Sequence, residues 1–286
     1  MLGEQIQNRL EEVLLKLSND LHEEVEIKDE DIEKAVEDFR DALHRQLKPK
    51  EKRSFRLRMS NIGRPTCQLQ MEASGAKAKP KQYNHILRMM LGDFSEIILM
   101  LLMKSTDIPV TGEKSQVELN IANTAINGED DVEIANKVWD IKSASDWAYR
   151  NKWTKGFNAL LDDDPFGYLG QMAGYSVGQS KKMGGWIVMN KSSGEIVCVD
   201  SPDDKDIYAN TIKLMRKNVD AITNEKPFER DFEPIEEWFN RKLTGRKILA
   251  KQCSMCDFRA TCWPHAQYQP CAESKAANPR KHWYVD

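Results

Sequence analysis

The sequence predicts an α/β protein: a mixed central sheet flanked by helices, preceded by a helical arm and followed by a cysteine-rich segment. Three observations carry that expectation. Apolar residues recur at helical spacing in two N-terminal stretches, 4–18 and 29–47. Between 116 and 145 the period shortens to two, the mark of half-buried strands. Helical spacing then returns, and a glycine-containing turn joins two more strand-like runs.

Taken in order, "EQIQNRLEEVLLKLS" and "DEDIEKAVEDFRDALHRQL" read as amphipathic helices of the arm. "KPKEKRSFRLRMS" is a basic connector and "MEASGAKAKPK" a loop of small residues and lysine. The pattern from Tyr83 to Lys104 is helical, with Gly92 tolerated inside it. "QVELNIANTAI" reads as one strand, "GEDD" as a turn, "DVEIA" as a strand, "NK" as a tight turn and "VWDIKSAS" as a further strand. A helix follows over "FGYLGQMAGYSVGQS", then a hairpin "GGWIVMN-KSSG-EIVCVDS", then a long helix "DKDIYANTIKLMRKNVDAIT". The tail from Lys251 reads as loop. The expected organisation is residues 1–59 as arm and connector, and 60–286 as the main domain.

The chain has 286 residues, 40% hydrophobic and 30% charged, an ordinary soluble composition. Its net charge of −3 conceals an uneven distribution. Residues before Phe39 are acidic, whereas from Arg40 to Arg88 there are about ten more basic than acidic side chains, a local footprint that fits phosphate. Arg53, Arg56, Arg58 and Arg64 are the candidates for contacting DNA. The start of the chain lacks a signal-peptide pattern, and the most apolar run, Ile97 to Met103, is too short to span a bilayer. A cytoplasmic protein with no membrane partner is expected. There thiols stay reduced, so clustered cysteines read as metal ligands or catalysts.

The chemistry concentrates in "NGEDDVEIANKVWDIKSAS". Side chains alternate along a strand, so Asp140 and Lys142 share a face while Ile141 points into the core. A hairpin brings Asp131 beside Asp140. Two carboxylates and a lysine suit Mg²⁺ or Mn²⁺, which prefer oxygen ligands and assist phosphodiester hydrolysis. Glu96 stands in an apolar helical stretch, where a lone buried carboxylate is costly and a shared metal would offset it. Gln171 and Tyr175 lie four residues apart, on one helical face. Trp147, Tyr149 and Trp153 follow the strand and could stack on bases or pack the core.

The order Gly-x-x-x-Glu, Gly-x-x-Asp, Asp-x-Lys and Gln-x-x-x-Tyr, over residues 92–175, resembles the RecB-type branch of the PD-(D/E)xK nucleases. The resemblance extends over about 60–264. It implies a restriction-endonuclease-like core with Glu96, Asp131, Asp140, Lys142, Gln171 and Tyr175 as catalytic residues. The implied set for Mg or Mn is Glu96, Asp131, Asp140 and Ile141. Many members carry His at the position of Glu96. Asp130 or Glu133 could stand in for Asp131.

Cys253, Cys256 and Cys262 fall within ten residues, and a four-ligand site needs one more. Cys67 in "NIGRPTCQLQ" is the first choice, with Cys271 and His265 in reserve; Cys198 reads as a buried small hydrophobe. Three clustered cysteines and one remote N-terminal cysteine resemble the iron–sulfur staple of AddB-type subunits and CRISPR-associated exonucleases. That implies a [4Fe–4S] cluster on Cys67, Cys253, Cys256 and Cys262, with zinc as the alternative. The family further implies an exonuclease acting on DNA ends, single-stranded DNA included, in replication, recombination or repair of a bacterial or phage-infected cell. Two other classes stay open: a zinc-stapled, catalytically inactive nucleic-acid-binding protein, and a redox or regulatory iron–sulfur protein.

Overall fold

The computed structural model describes residues 1–49 and 54–285. In chain order its principal helices are α1 (Leu2–Ser18), α2 (Asp29–Leu47), α3 (Thr66–Ala73), α4 (His85–Lys104), α5 (Asp146–Asn151), α6 (Phe157–Asp162), α7 (Tyr168–Gly178), α8 (Lys205–Thr223), α9 (Lys251–Met255) and α10 (Arg259–Cys262). The strands are β1 (Val110–Glu113), β2 (Gln116–Ile121), β3 (Thr124–Glu129), β4 (Val132–Ile134), β5 (Lys137–Ala144), β6 (Lys182–Asn190), β7 (Ile196–Asp200), β8 (Ile235–Phe239), β9 (Lys242–Ile248), β10 (Gln267–Pro270) and β11 (Lys281–Val285). The chain divides into two compact units, 1–63 with 82–216, and 64–81 with 217–286.

The first unit is a mixed α/β body. Its sheet runs β1-β4-β5-β6-β7, with β5 and β6 parallel and the other pairs antiparallel. Only the β5–β6 step needs a crossover, and α5, α6 and α7 supply it. Trp139 and Ile141 of β5 join a core with Ile6 and Leu10 of α1 and Leu99, Met100 and Met103 of α4. The expected arm is therefore part of this body: α1 packs on β6 and β7, and α2 on α4. Ile6 and Leu10 are wholly buried, so truncating either to alanine costs about 2–5 kcal/mol. On β5, Asp140 and Lys142 point to the face opposite Ile141.

Two readings of the pattern are corrected. "QVELNIANTAI" is a hairpin, β2 and β3, with Ala122 and Asn123 in left-handed backbone at the turn. Its alternation runs through the turn without a glycine or proline to mark it, which hid the reversal. The tail from Lys251 is not simply loop. The second unit contains a four-stranded antiparallel sheet in the order β10-β11-β9-β8, besides α3, α9 and α10. Buried Glu237 helps hold that sheet, accepting hydrogen bonds from Thr244 Oγ1 (2.7 Å), Tyr284 Oη (2.5 Å) and Arg246 Nη2 (2.9 Å).

Candidate active site

The site begins at the turn between β4 and β5. Ala135 and Asn136 adopt left-handed backbone, which closes the two-residue turn and sets Val132 opposite Trp139. Asp131, the residue immediately before β4, then reaches across to β5. Its Oδ2 accepts the Ile141 N–H at 2.7 Å and lies 4.0 Å from Lys142 Nζ. β5 has strands on both sides, so Asp140 is only 1% exposed. Lys142 Nζ lies 2.6 Å from both Asp140 oxygens and hydrogen-bonds Oδ1. Asp140 Oδ2 is buried against the same ammonium. Burial pushes the Asp140 carboxyl up, and Asp131 adds to that while Lys142 opposes it. Burial works against the Lys142 ammonium, but Asp140 and Asp131 outweigh it and hold the lysine charged.

Glu96 comes from the middle of α4. Burial, helped by the charge of Asp131, raises its carboxyl to about 7 against the pull of Lys114 and Lys142. Glu96 thus feels both Asp131 and Lys142. Gln171 and Tyr175, one turn apart on α7, meet at 3.4 Å. The Tyr175 phenol is pushed up by burial and then by Asp131 and Asp140. The six residues singled out by spacing occupy one neighbourhood of the first unit. Ile141 has its side chain in the core, so only its backbone carbonyl could serve a cation.

The structure distinguishes Asp131 from its two rivals. Asp130 accepts hydrogen bonds from Ser115 N at 2.7 Å and Gln179 Nε2 at 2.5 Å. Glu133 is engaged by Lys181. Both are committed to structure, and Asp131 alone of the three faces Lys142. Tyr149 and Trp153 are buried and pack the core, whereas Trp147 is exposed. Arg56 and Arg58 are exposed in the first unit. Arg64, in the second, is turned to Glu72 at 3.6 Å, so the phosphate role expected for it competes with an ion pair. Arg53 lies outside the described residues.

Within the second unit, Cys67 is on α3 and Cys253 on α9, while Cys256 follows α9 and Cys262 ends α10. Burial lifts the Cys67 thiol to about 12, with Cys253 contributing; it lifts Cys253 to about 11, with Cys262 and Cys256 contributing. Cys256 also feels Cys262. The four thiols are therefore electrostatic neighbours although Cys67 is remote in sequence. Phe258 N donates to Cys256 Sγ at 3.4 Å, and the buried Trp263 indole N–H is turned to Cys253, where it opposes the rise of that thiol. Such N–H groups aimed at sulfur suit thiolate ligands. Cys271 instead sits against Glu237, and Cys198 packs on the core of the first unit. His265 is exposed. Among the described residues, no three His, Cys, Asp or Glu side chains stand at metal-holding geometry, in either unit.

Sequence reasoning missed Tyr168, whose ring centre lies 5.6 Å from Lys142 Nζ, and Phe166, which packs on Tyr168. Their signal was an aromatic pair bracketing a glycine immediately ahead of the Gln171 helix. No helix among the described residues is long and apolar enough to cross a membrane. No family model matches the chain, and no curated protein matches it. A solved structure described as "Crystal structure of SSO0001" aligns over 79% of this chain and 94% of its own, with 15% identity and a TM-score of 0.42.

Proposed function

We propose that the chain is a metal-dependent DNA nuclease of the RecB-type PD-(D/E)xK class, most simply an exonuclease. One observation carries the reading: Glu96 of α4, Asp131 before β4, and Asp140 with Lys142 of β5 come into one buried neighbourhood with Gln171 and Tyr175 beside it. Isolated carboxylates are costly to bury, and three around one lysine exceed what an ion pair needs. The donor set is all oxygen, which suits a hard cation. Glu96, Asp131, Asp140 and the Ile141 carbonyl would hold Mg²⁺ or Mn²⁺. Bound there, the ion supplies Lewis-acid stabilisation of phosphorane charge and a more acidic water. Lys142 then orients the attacking water and offsets developing negative charge. Gln171 and Tyr175 hydrogen-bond the phosphate or the lysine. In the second unit, Cys67, Cys253, Cys256 and Cys262 would be the ligands of a [4Fe–4S] cluster, or zinc, joining its two chain segments.

The test is Mg²⁺- or Mn²⁺-dependent release of nucleotides from end-labelled DNA. Lys142→Ala and Asp140→Ala are each expected to lower cleavage by at least about a hundredfold, the scale of a lost electrostatic or acid–base group. DNA binding should persist. Near-wild-type rates in either variant would remove the assignment. The absorption spectrum of protein purified without oxygen separates an iron–sulfur cluster, which is brown, from colourless zinc.

A further inference from the structure

A row of aromatic rings leads from the buried acids to solvent. Trp186 of β6 is the cross-strand partner of Asp140 and is fully buried. Trp153 packs on it at 6.2 Å between centroids, and Tyr168 on Trp153 at 5.6 Å. Phe166 ends the row, 5.5 Å from Tyr168 at 34° between planes. Lys142 Nζ lies 5.6 Å from the Tyr168 ring centre. Phe166 is 57% exposed.

A singly exposed phenylalanine is common and needs no purpose. This one is held in place. Asp164 is turned inward, its Oδ1 accepting Tyr168 N at 2.9 Å and its Oδ2 accepting Leu169 N at 2.8 Å. Gly167, between the two rings, takes left-handed backbone with φ 76°. The turn thus presents a rigid aromatic face beside the lysine that serves the proposed chemistry. Nucleobases stack on such faces whatever their sequence, provided they are unpaired.

We propose that Phe166, backed by Tyr168, is a stacking platform for the nucleobase adjoining the scissile phosphate, selecting single-stranded or frayed DNA. The identity of the ligand rests on the nuclease reading above. The platform positions the strand; it takes no part in bond breaking. Its occupant is an unpaired base, because a base within a duplex already has both faces covered.

The experiment places 2-aminopurine at successive positions of a single-stranded oligonucleotide and mixes it with the full-length protein in chelator. Wild-type and Phe166→Trp proteins are expected to quench one position, and Phe166→Ala is not. With Mg²⁺ or Mn²⁺, Phe166→Ala should lower kcat/KM on the intact strand by about tenfold or more. On a strand abasic at the quenched position, wild type and variant should cleave alike. Absence of any position that quenches, quenching that survives Phe166→Ala, or an equal loss on intact and abasic strands would overturn the platform. Cleavage retained in those cases leaves the nuclease reading standing. A wild-type protein that quenches one position through Phe166 yet cuts nothing supports the platform and removes the nuclease reading.

Discussion

Asp130 and Asp131 are adjacent residues with opposite employment. Asp130 accepts hydrogen bonds from Ser115 N and Gln179, and Asp131 faces Ile141 N and Lys142. Asp130→Asn should therefore destabilise by about 1–3 kcal/mol, the usual cost of disturbing a satisfied buried acceptor. Asp131→Asn should mainly lower the cleavage rate. Denaturant melts and cleavage assays on both variants check the division, and reversal of the two effects would refute it. Glu96 gives a pH test. Its carboxyl takes a proton near 7 in the folded chain against 4.5 ordinarily, so the folded state holds the extra proton between those values. Stability should consequently fall as pH rises across that window. Thermal melts in chelator from pH 5 to 8 should show the decline, and Glu96→Gln should flatten it. Added Mg²⁺ should recover stability at the alkaline end, since binding to the folded state adds stability by mass action.

At the level of elements, the helix that carries Gln171 and Tyr175 is set by a glycine contact. A Cβ on Gly170 would come within 2.3 Å of Gly63 Cα, and one on Gly63 within 2.6 Å of the Gly167 carbonyl oxygen. Alanine at Gly170 would ordinarily favour the helix. Here backbone must move instead, so Gly170→Ala should destabilise by about 1–3 kcal/mol and misplace Gln171. Denaturant unfolding and the cleavage rate should both register the change; an equally stable, fully active variant would show that the contact relaxes freely. Elements were legible where the pattern was long or marked. The two N-terminal helices, α4, α7, the β6–β7 hairpin and α8 followed from spacing and turn residues. The β2–β3 reversal was hidden because Ala122 and Asn123 take left-handed backbone without glycine. β8 and β9 were obscured because they reverse through Asn240 and Arg241, in left-handed backbone without glycine, and β10 and β11 by the cysteine run before them. The acid and lysine set was legible because strand alternation fixes which side chains meet. The choice among Asp130, Asp131 and Glu133 was not, since it depends on Ser115, Gln179 and Lys181 arriving from other elements.

At the scale of the molecule, the second unit is built from two pieces of chain, 64–81 and 217–286, with the whole five-stranded sheet of the first unit encoded between them. Main-chain and side-chain bonds join the pieces: Lys79 N donates to Asp257 O at 2.7 Å, Thr261 Oγ1 to Lys77 O at 2.7 Å, and Cys67 N to Asp231 Oδ2 at 2.7 Å. If a cluster on the four thiols is the main fastener, Cys67→Ala should lose as much bound metal as Cys253→Ala, with both proteins more sensitive to protease. Cys198→Ala and Cys271→Ala should keep the full complement. Iron, zinc and acid-labile sulfide assays on each variant measure this. A full complement in Cys67→Ala with loss in Cys271→Ala would move the site into the tail alone.

The split coding of the second unit also sets an order of events during synthesis. Cys67 leaves the ribosome about 190 residues before Cys253, so at roughly 5–20 residues per second it waits on the order of 10–40 s for its neighbours. Within that interval the five strands β1, β4, β5, β6 and β7 all emerge, with the acids and Lys142, before Cys253 does. The sheet that carries the candidate chemistry can close while the thiols of the second unit are still apart. A nascent chain stalled after residue 216 would hold every candidate catalytic group and only one of the four clustered cysteines.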